Sequence, residues 1–255
     1  MNLRTVKAMR YVTPLREGGS LPAIVEGDDD GLYVLKFRGA GQGVKALIAE
    51  LLAGEIGRVL SLPVPEIVLV ELDADLARTE PDPEIQELIK ASGGLNLALD
   101  YLPGSIMFDT LIQQPNSELA SKIVWFDALT ANVDRTARNA NMLLWHKELW
   151  LIDHGAAFFY QHNWNGFLDN AKNPFRQVKD HILLPLAGAI EKADAELTKQ
   201  LTPEVLSEIV ALVPDDWFDE AHEQRKVYLE FLTRRLAGGR EFVKEAIDAR
   251  NLLHV

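Results

Sequence analysis

The loop Asn132-Val133-Asp134-Arg135-Thr136-Ala137-Arg138-Asn139-Ala140-Asn141 runs into the apolar stretch Met142-Leu143-Leu144-Trp145. A second apolar stretch, Leu149-Trp150-Leu151-Ile152, ends in Asp153-His154-Gly155. Phosphoryl transfer from ATP uses this combination of groups. One carboxylate orients the attacking hydroxyl, while an Asn and a second Asp hold Mg2+ against the phosphates. Magnesium takes hard oxygen ligands and keeps some of its waters, so one carboxylate and one amide oxygen are reasonable protein ligands. A hairpin between the two apolar stretches would carry the Asn and the last Asp to one end of neighbouring strands. Two asparagines compete for the amide role: Asn139 lies five positions after Asp134, whereas Asn141 directly precedes the strand and is favoured. Taken alone, an Asx-rich loop is often ordinary turn chemistry, because Asn and Asp satisfy their own backbone.

A lysine and a glutamate upstream add to this set. Leu32-Tyr33-Val34-Leu35-Lys36-Phe37 has the β-branched and aromatic content of a strand. Side chains alternate along a strand, so Leu32, Val34 and Lys36 share one face. A strand lysine is commonly an edge residue with its ammonium in water; the alternative is a lysine that reaches the α- and β-phosphates. Glu50 follows on a predicted helix, Val44–Leu60, whose Val44, Leu47, Ile48, Leu51, Ile56, Val59 and Leu60 form an apolar stripe. Gly54 and Gly57, in line with Glu50, would let another element approach closely. Gly-rich turn, strand lysine, helix glutamate, loop Asp, Asn and final Asp stand in the order that a kinase requires. Six signals in order arise by accident far less readily than any one of them.

The rest of the chain supplies elements to position these groups. Predicted strands at Thr5–Pro14 and 21–26 flank the turn Arg16-Glu17-Gly18-Gly19-Ser20, and Gly39, Gly41 and Gly43 form a competing phosphate loop. Further strands are expected at Ile67–Leu72 and 95–102, separated by an acidic excursion with a short helix near 84–90. From Ser105 helical patterns dominate, punctuated late by Pro185, Pro203 and Pro214. A composition shift near residue 100 divides 1–98 from 99–255.

With 255 residues, 47% of them hydrophobic, the chain can bury a core for one or two domains. Its net charge of −12 argues against nucleic acid or an anionic membrane as the main partner. The absence of cysteine excludes disulfides, Cys-based zinc sites and a thiol nucleophile. No stretch is long and apolar enough for a signal peptide or a membrane span, so a cytoplasmic protein is expected.

The run Glu50-Leu51-Leu52-Ala53-Gly54-Glu55-Ile56-Gly57-Arg58-Val59-Leu60-Ser61-Leu62-Pro63-Val64-Pro65-Glu66 resembles the helix and following loop of HipA-like kinases. Asn132-Val133-Asp134-Arg135 and Leu151-Ile152-Asp153-His154-Gly155 are similar to their catalytic and metal-binding loops, and Leu99-Asp100-Tyr101-Leu102-Pro103-Gly104-Ser105 to the segment joining their lobes. The resemblance covers roughly Gly18 to Ala157. It implies an α+β, two-lobed protein-kinase-like fold, with a small antiparallel-sheet N-lobe carrying one helix and a mainly helical C-lobe. It further implies ATP and Mg2+, with Lys36 on the phosphates, Glu50 as its partner, Asp134 as catalytic base, and Asn141 (or Asn139) with Asp153 on the metal. Gly18, Gly19, Ser20, Val34, Asp100 and Leu102 complete the implied nucleotide site. Ordinary protein kinases carry His-Arg-Asp; here Asn132-Val133 precede Asp134 and Arg135 follows it, closer to HipA and phosphoinositide kinases. The chain is shorter than the full-length toxins and is expected to lack their extra N-terminal subdomain.

The acceptor implied is a protein Ser/Thr or a small-molecule hydroxyl. A lipid or metabolite kinase on the same fold, a nucleotide-binding pseudokinase and an adenylyl transferase are the rivals. Between Thr136 and Thr198 there is no Ser or Thr, which excludes an activation segment switched by Ser/Thr phosphorylation; Ser20 is the candidate for autophosphorylation. His154, His162 and His181 fit no metal-ligand spacing. Trp145, Trp150 and Trp164 are expected in packing, and Asp28-Asp29-Asp30 in a solvated turn.

Overall fold

The computed structural model describes residues 1–15, 21–41 and 43–253. Five apolar, β-branched runs become β1 (Thr5–Pro14), β2 (Ala23–Gly27), β3 (Leu32–Lys36), β4 (Ile67–Leu72) and β5 (Gly94–Asp100). They close into a barrel in the order β1-β2-β3-β5-β4. Four seams are antiparallel, but β1 and β4 pair in parallel, with Thr5 opposite Leu69 and Lys7 opposite Glu71. The expected all-antiparallel sheet is therefore corrected to a mixed closed barrel. A parallel pair needs a long crossover, and the chain between β1 and β4 supplies it.

Part of that crossover is helix α1 (Val44–Val59). Instead of one apolar stripe, every residue from Leu47 to Gly57 is buried. A helix covered on all sides lies between two layers, and α1 lies between the barrel strands β4 and β5 and the C-terminal helices. The small line works as its composition suggests. A Cβ on Gly54 would stand 2.4 Å from Ile67 Cδ1, and one on Gly57 2.9 Å from Val64 Cγ2. A second helix, α2 (Pro83–Ala91), follows a 3-10 stretch at Ala74–Thr79, where the sequence places a short helix near 84–90; among the described residues this part thus carries two α-helices, and not the one that the resemblance implies. Asp82 caps α2 by accepting the Glu84 N–H, with Pro83 at the first turn.

Beyond residue 100 a strand too short to show alternation, β6 (Ile106–Met107), pairs with β7 (Met142–Trp145), which pairs with β8 (Glu148–Leu151). Helix α3 (Ser117–Thr130), capped by Asn116, is buried from Ile123 to Thr130 and forms the spine of the larger core. The stretch from Phe159 to Leu186 is a chain of 3-10 turns. Helices α4 (Ile190–Leu197), α5 (Pro203–Ala211), α6 (Ala221–Leu236) and α7 (Glu241–Leu252) complete the α+β fold. Arg235 of α6 is 2% exposed and donates to the carbonyls of Ala128, Leu129, Ala171 and Asn173, closing the C-terminal end of α3. Among the described residues no helix is long and apolar enough to cross a membrane.

Candidate active site

Alternation in β3 explains the lysine. Tyr33 and Leu35 point into the barrel, leaving Val34 and Lys36 on the opposite face. There the Lys36 ammonium donates to Asp153 Oδ1 at 2.8 Å, across 117 residues of chain. Glu50 enters from α1 and pairs with His154, whose Nδ1 lies 3.3 Å from Glu50 Oε1. Among the described residues Lys36 and Glu50 form no direct ion pair; they are coupled through their fields. Burial opposes the Lys36 charge, yet Glu50 and then Asp153 outweigh it and hold its pKa above the ordinary lysine value. Burial likewise pushes Glu50 up, but the Lys36 charge and the His154 hydrogen bond win and leave it below the usual carboxylate range.

The β7–β8 hairpin does what the spacing requires. Asn141 directly precedes β7, Asp153 follows β8, and the Ile152 N–H donates to the Asn141 carbonyl at 3.0 Å. Both ends turn through left-handed backbone, with φ 48° at Asn141 and 56° at Asp153, a region that Asn and Asp tolerate better than other side chains. Asp134 sits against Asn141. Its Oδ2 accepts from Asn139 Nδ2 at 2.8 Å and from Asn141 Nδ2 at 3.2 Å. Each amide thus spends its nitrogen on Asp134 and keeps its oxygen for another partner. With Asp153 this makes a hard-oxygen donor set of the kind that suits Mg2+, which takes few protein ligands beside substrate phosphates. Among the described residues no three of His, Asp and Glu gather as a metal centre.

The other expected positions separate. Val34 pairs with Leu99 and shares the Lys36 face, whereas Asp100 ends β5 opposite the inward-pointing Tyr33 and Leu102 is buried just beyond it. Gly18, Gly19 and Ser20 lie outside the described residues. Gly39 is tied to Ser92 through its N–H, and Gly43 leads into α1 with φ 63°. Asp29 does more than face water: it accepts from Arg4, Tyr33 and the Gly31 N–H. Trp145 donates to the Pro103 carbonyl, and Trp164 stacks on Phe167.

A clamp behind the loop escaped the spacing argument. Asp127 of α3, fully buried, accepts from Asn132 Nδ2 (3.0 Å), Arg135 Nε (2.6 Å) and His181 Nε2 (2.9 Å). Arg135 reaches on to the Asn141 carbonyl, and the Asn132 side-chain oxygen accepts the Asp134 N–H at 3.2 Å. Both ends of the loop are thus tied to one carboxylate. The available signal was a lone acid inside the apolar run Ile123-Val124-Trp125-Phe126-Asp127-Ala128-Leu129, since unpaired charges are rarely buried.

Three comparisons bear on this arrangement. The solved structure of the proinflammatory kinase CtkA from Helicobacter pylori superposes with a TM-score of 0.56 at 13% identity, over 98% of this chain and 99% of that one. A Golgi casein kinase solved with Mn and ADP bound gives 0.53 at 12% identity, over 97% of this chain and 73% of that one. At such identities the likeness is one of fold, and the fold is kinase-like. No curated protein sequence matches the chain. The family model described as HipA-like kinase matches residues 9–241; with that span of its length matched, the chain belongs to the HipA-like kinase family.

Proposed function

We propose that the chain transfers the γ-phosphoryl group of ATP, with magnesium, to a hydroxyl acceptor on a protein Ser/Thr or a small molecule. In this reading residues 1–98 form a nucleotide-phosphate lobe and 99–255 a catalytic lobe. The observation that carries it is the meeting of Lys36 with Asp153 at 2.8 Å, beside a hairpin that sets Asn141 against Asp134. Family membership and a kinase-like neighbour solved with Mn and ADP support the same chemistry.

Lys36 neutralises the nucleotide phosphates, and Glu50 keeps that ammonium charged despite its burial. Asn141 and Asp153 hold the magnesium, with Asn139 as the alternative amide; bound there, the ion offsets phosphate charge. Asp134 orients the acceptor hydroxyl and accepts its proton. The acceptor oxygen bonds to the γ-phosphorus, the bond to the β–γ bridging oxygen breaks, and ADP leaves. Val34, Asp100 and Leu102 border the nucleotide base, while Gly18, Gly19 and Ser20 are proposed to cover the phosphates.

The test uses ATP labelled at the α or the γ position against protein and metabolite pools. Label should pass only from the γ position, and Asp134→Asn should cut transfer by roughly 10²–10⁴-fold while nucleotide binding stays nearly intact. Asp153→Asn should weaken magnesium-dependent nucleotide binding itself. Normal turnover in both variants would remove the assignment. Label transfer from the α position would make the reaction adenylylation.

A further inference from the structure

A cavity of about 510 Å³ lies beside the catalytic loop, walled in part by Phe108, Ala137, Arg138, Asn139, Ile182 and Pro185. Asn139 is shared with the reaction centre, because its side-chain nitrogen donates to Asp134. Lys36, Asn141 and Asp153 are not in the wall. The cavity therefore meets the proposed base through one side chain and stays clear of the groups assigned to phosphate and metal.

The wall segment 107–110 belongs to an exposed apolar strip of chain, in which Met107 lines the cavity and Ile106, Leu111 and Ile112 flank it in sequence. Ile106, Met107, Leu111 and Ile112 are 53, 47, 92 and 61% exposed. Asp109 sets the turn that presents the last two, accepting the Leu111 N–H on its side chain and the Ile112 N–H on its carbonyl. Arg138, exposed on the cavity wall, has no ion-pair or hydrogen-bond partner among the described residues, in a chain whose net charge is −12. A small metabolite would fill the cavity and leave the strip in water. An apolar strip that forms part of a pocket wall and extends past it in the chain fits a longer ligand.

Resting on the phosphotransferase reading, we propose that this groove docks the acceptor as an extended polypeptide, with an apolar side chain in the cavity and an acidic residue on Arg138. The free arginine supplies the charge complementarity, and the strip supplies the apolar contact.

Short fluorescein-labelled peptides test this by anisotropy with the full chain: a Ser flanked by Leu and Glu, the same peptide with Lys for Glu, and the same with Ser for Leu. The Leu/Glu peptide should bind at least about tenfold tighter than either relative. The double variant L111S/I112S should weaken it by about tenfold, and Arg138→Glu should invert the Glu-over-Lys preference. Equal binding of all three peptides, or unchanged preferences in both variants, overturns the proposal. So does a wild-type dimer that L111S/I112S dissociates without altering peptide binding, since the strip then belongs to a second copy. Anisotropy needs no turnover, and phosphate release from γ-labelled ATP is read in parallel without peptide. Failure of docking is thereby told apart from failure of the phosphotransferase reading.

Discussion

Ionising a fully buried carboxylate is costly unless charge and hydrogen bonds surround it, and Asp127 is surrounded by Arg135, His181 and Asn132. Burial alone would raise its pKa; the Arg135 charge and the His181 hydrogen bond reverse that and hold it below the ordinary carboxylate value. Unfolded, the same group titrates near about 3.9. Its stabilisation is therefore complete above that value and is lost as pH falls towards the lower folded pKa. From about pH 4 downward to about pH 2, urea unfolding should show the wild type losing stability more steeply than Asp127→Asn, which has no carboxylate to protonate. Equal slopes would place the acid sensitivity elsewhere. At neutral pH the same variant should cost about 3–5 kcal/mol, because it leaves the Arg135 charge buried without a counter-ion. Glu50 acts on Lys36 in a related way, through its field. Glu50→Gln keeps an oxygen for His154 while removing the charge that supports the ammonium, so ADP affinity measured by calorimetry should fall about tenfold. Unaltered affinity would mean that Asp153 alone holds Lys36 ready.

At the level of elements, α1 depends on two glycines that a helix would otherwise do without. Alanine at Gly54 gains helix propensity of about 1 kcal/mol, but its Cβ would press on Ile67 Cδ1 at 2.4 Å. Overpacking costs about 1–3 kcal/mol, so the expected net effect is a loss. Shortening the neighbour by Ile67→Val removes the clashing methyl, so the double variant should be more stable than the sum of the single changes. A double-mutant cycle by denaturation reads this directly, and strict additivity would refute it. The glycine line was legible in the sequence because helical spacing sets i, i+4 and i+7 on one side. The hairpin carrying Asn141 and Asp153 was legible for a similar reason, its partners being close in sequence. What stayed hidden depends on distant pairing. The parallel β1–β4 seam, the two-residue β6 and the Asp127–His181 contact across 54 residues leave no local period to read. The burial of α1 on every side was also missed, since its second covering layer comes from the far end of the chain.

That second layer shapes the whole molecule. The barrel and the helical region meet through the 100–105 connection and also around α1. The Trp217 indole donates to the Leu95 carbonyl at 3.2 Å, Arg38 pairs with Asp216 at 3.1 Å, and Gln161 donates to the Lys45 carbonyl at 3.3 Å. Trp217 is 3% exposed, so this latch is packed as well as hydrogen-bonded. With no Ser or Thr between Thr136 and Thr198, Ser/Thr phosphorylation within that segment cannot be the device that moves α1; α5 and the Asp215–Trp217 turn instead pack on the helix that carries Glu50. Trp217→Ala should cost about 3–5 kcal/mol, and the cost should be local. In hydrogen exchange, amides of α1 should lose protection while those of α3, held by Arg235 and its own core, change little. Equal loss in both helices would show that Trp217 merely contributes to a single cooperative core. Unchanged protection in α1 would show that the barrel alone fixes the helix. Only the selective loss ties the position of Glu50, and through it the charge on Lys36, to a tryptophan near the other end of the chain.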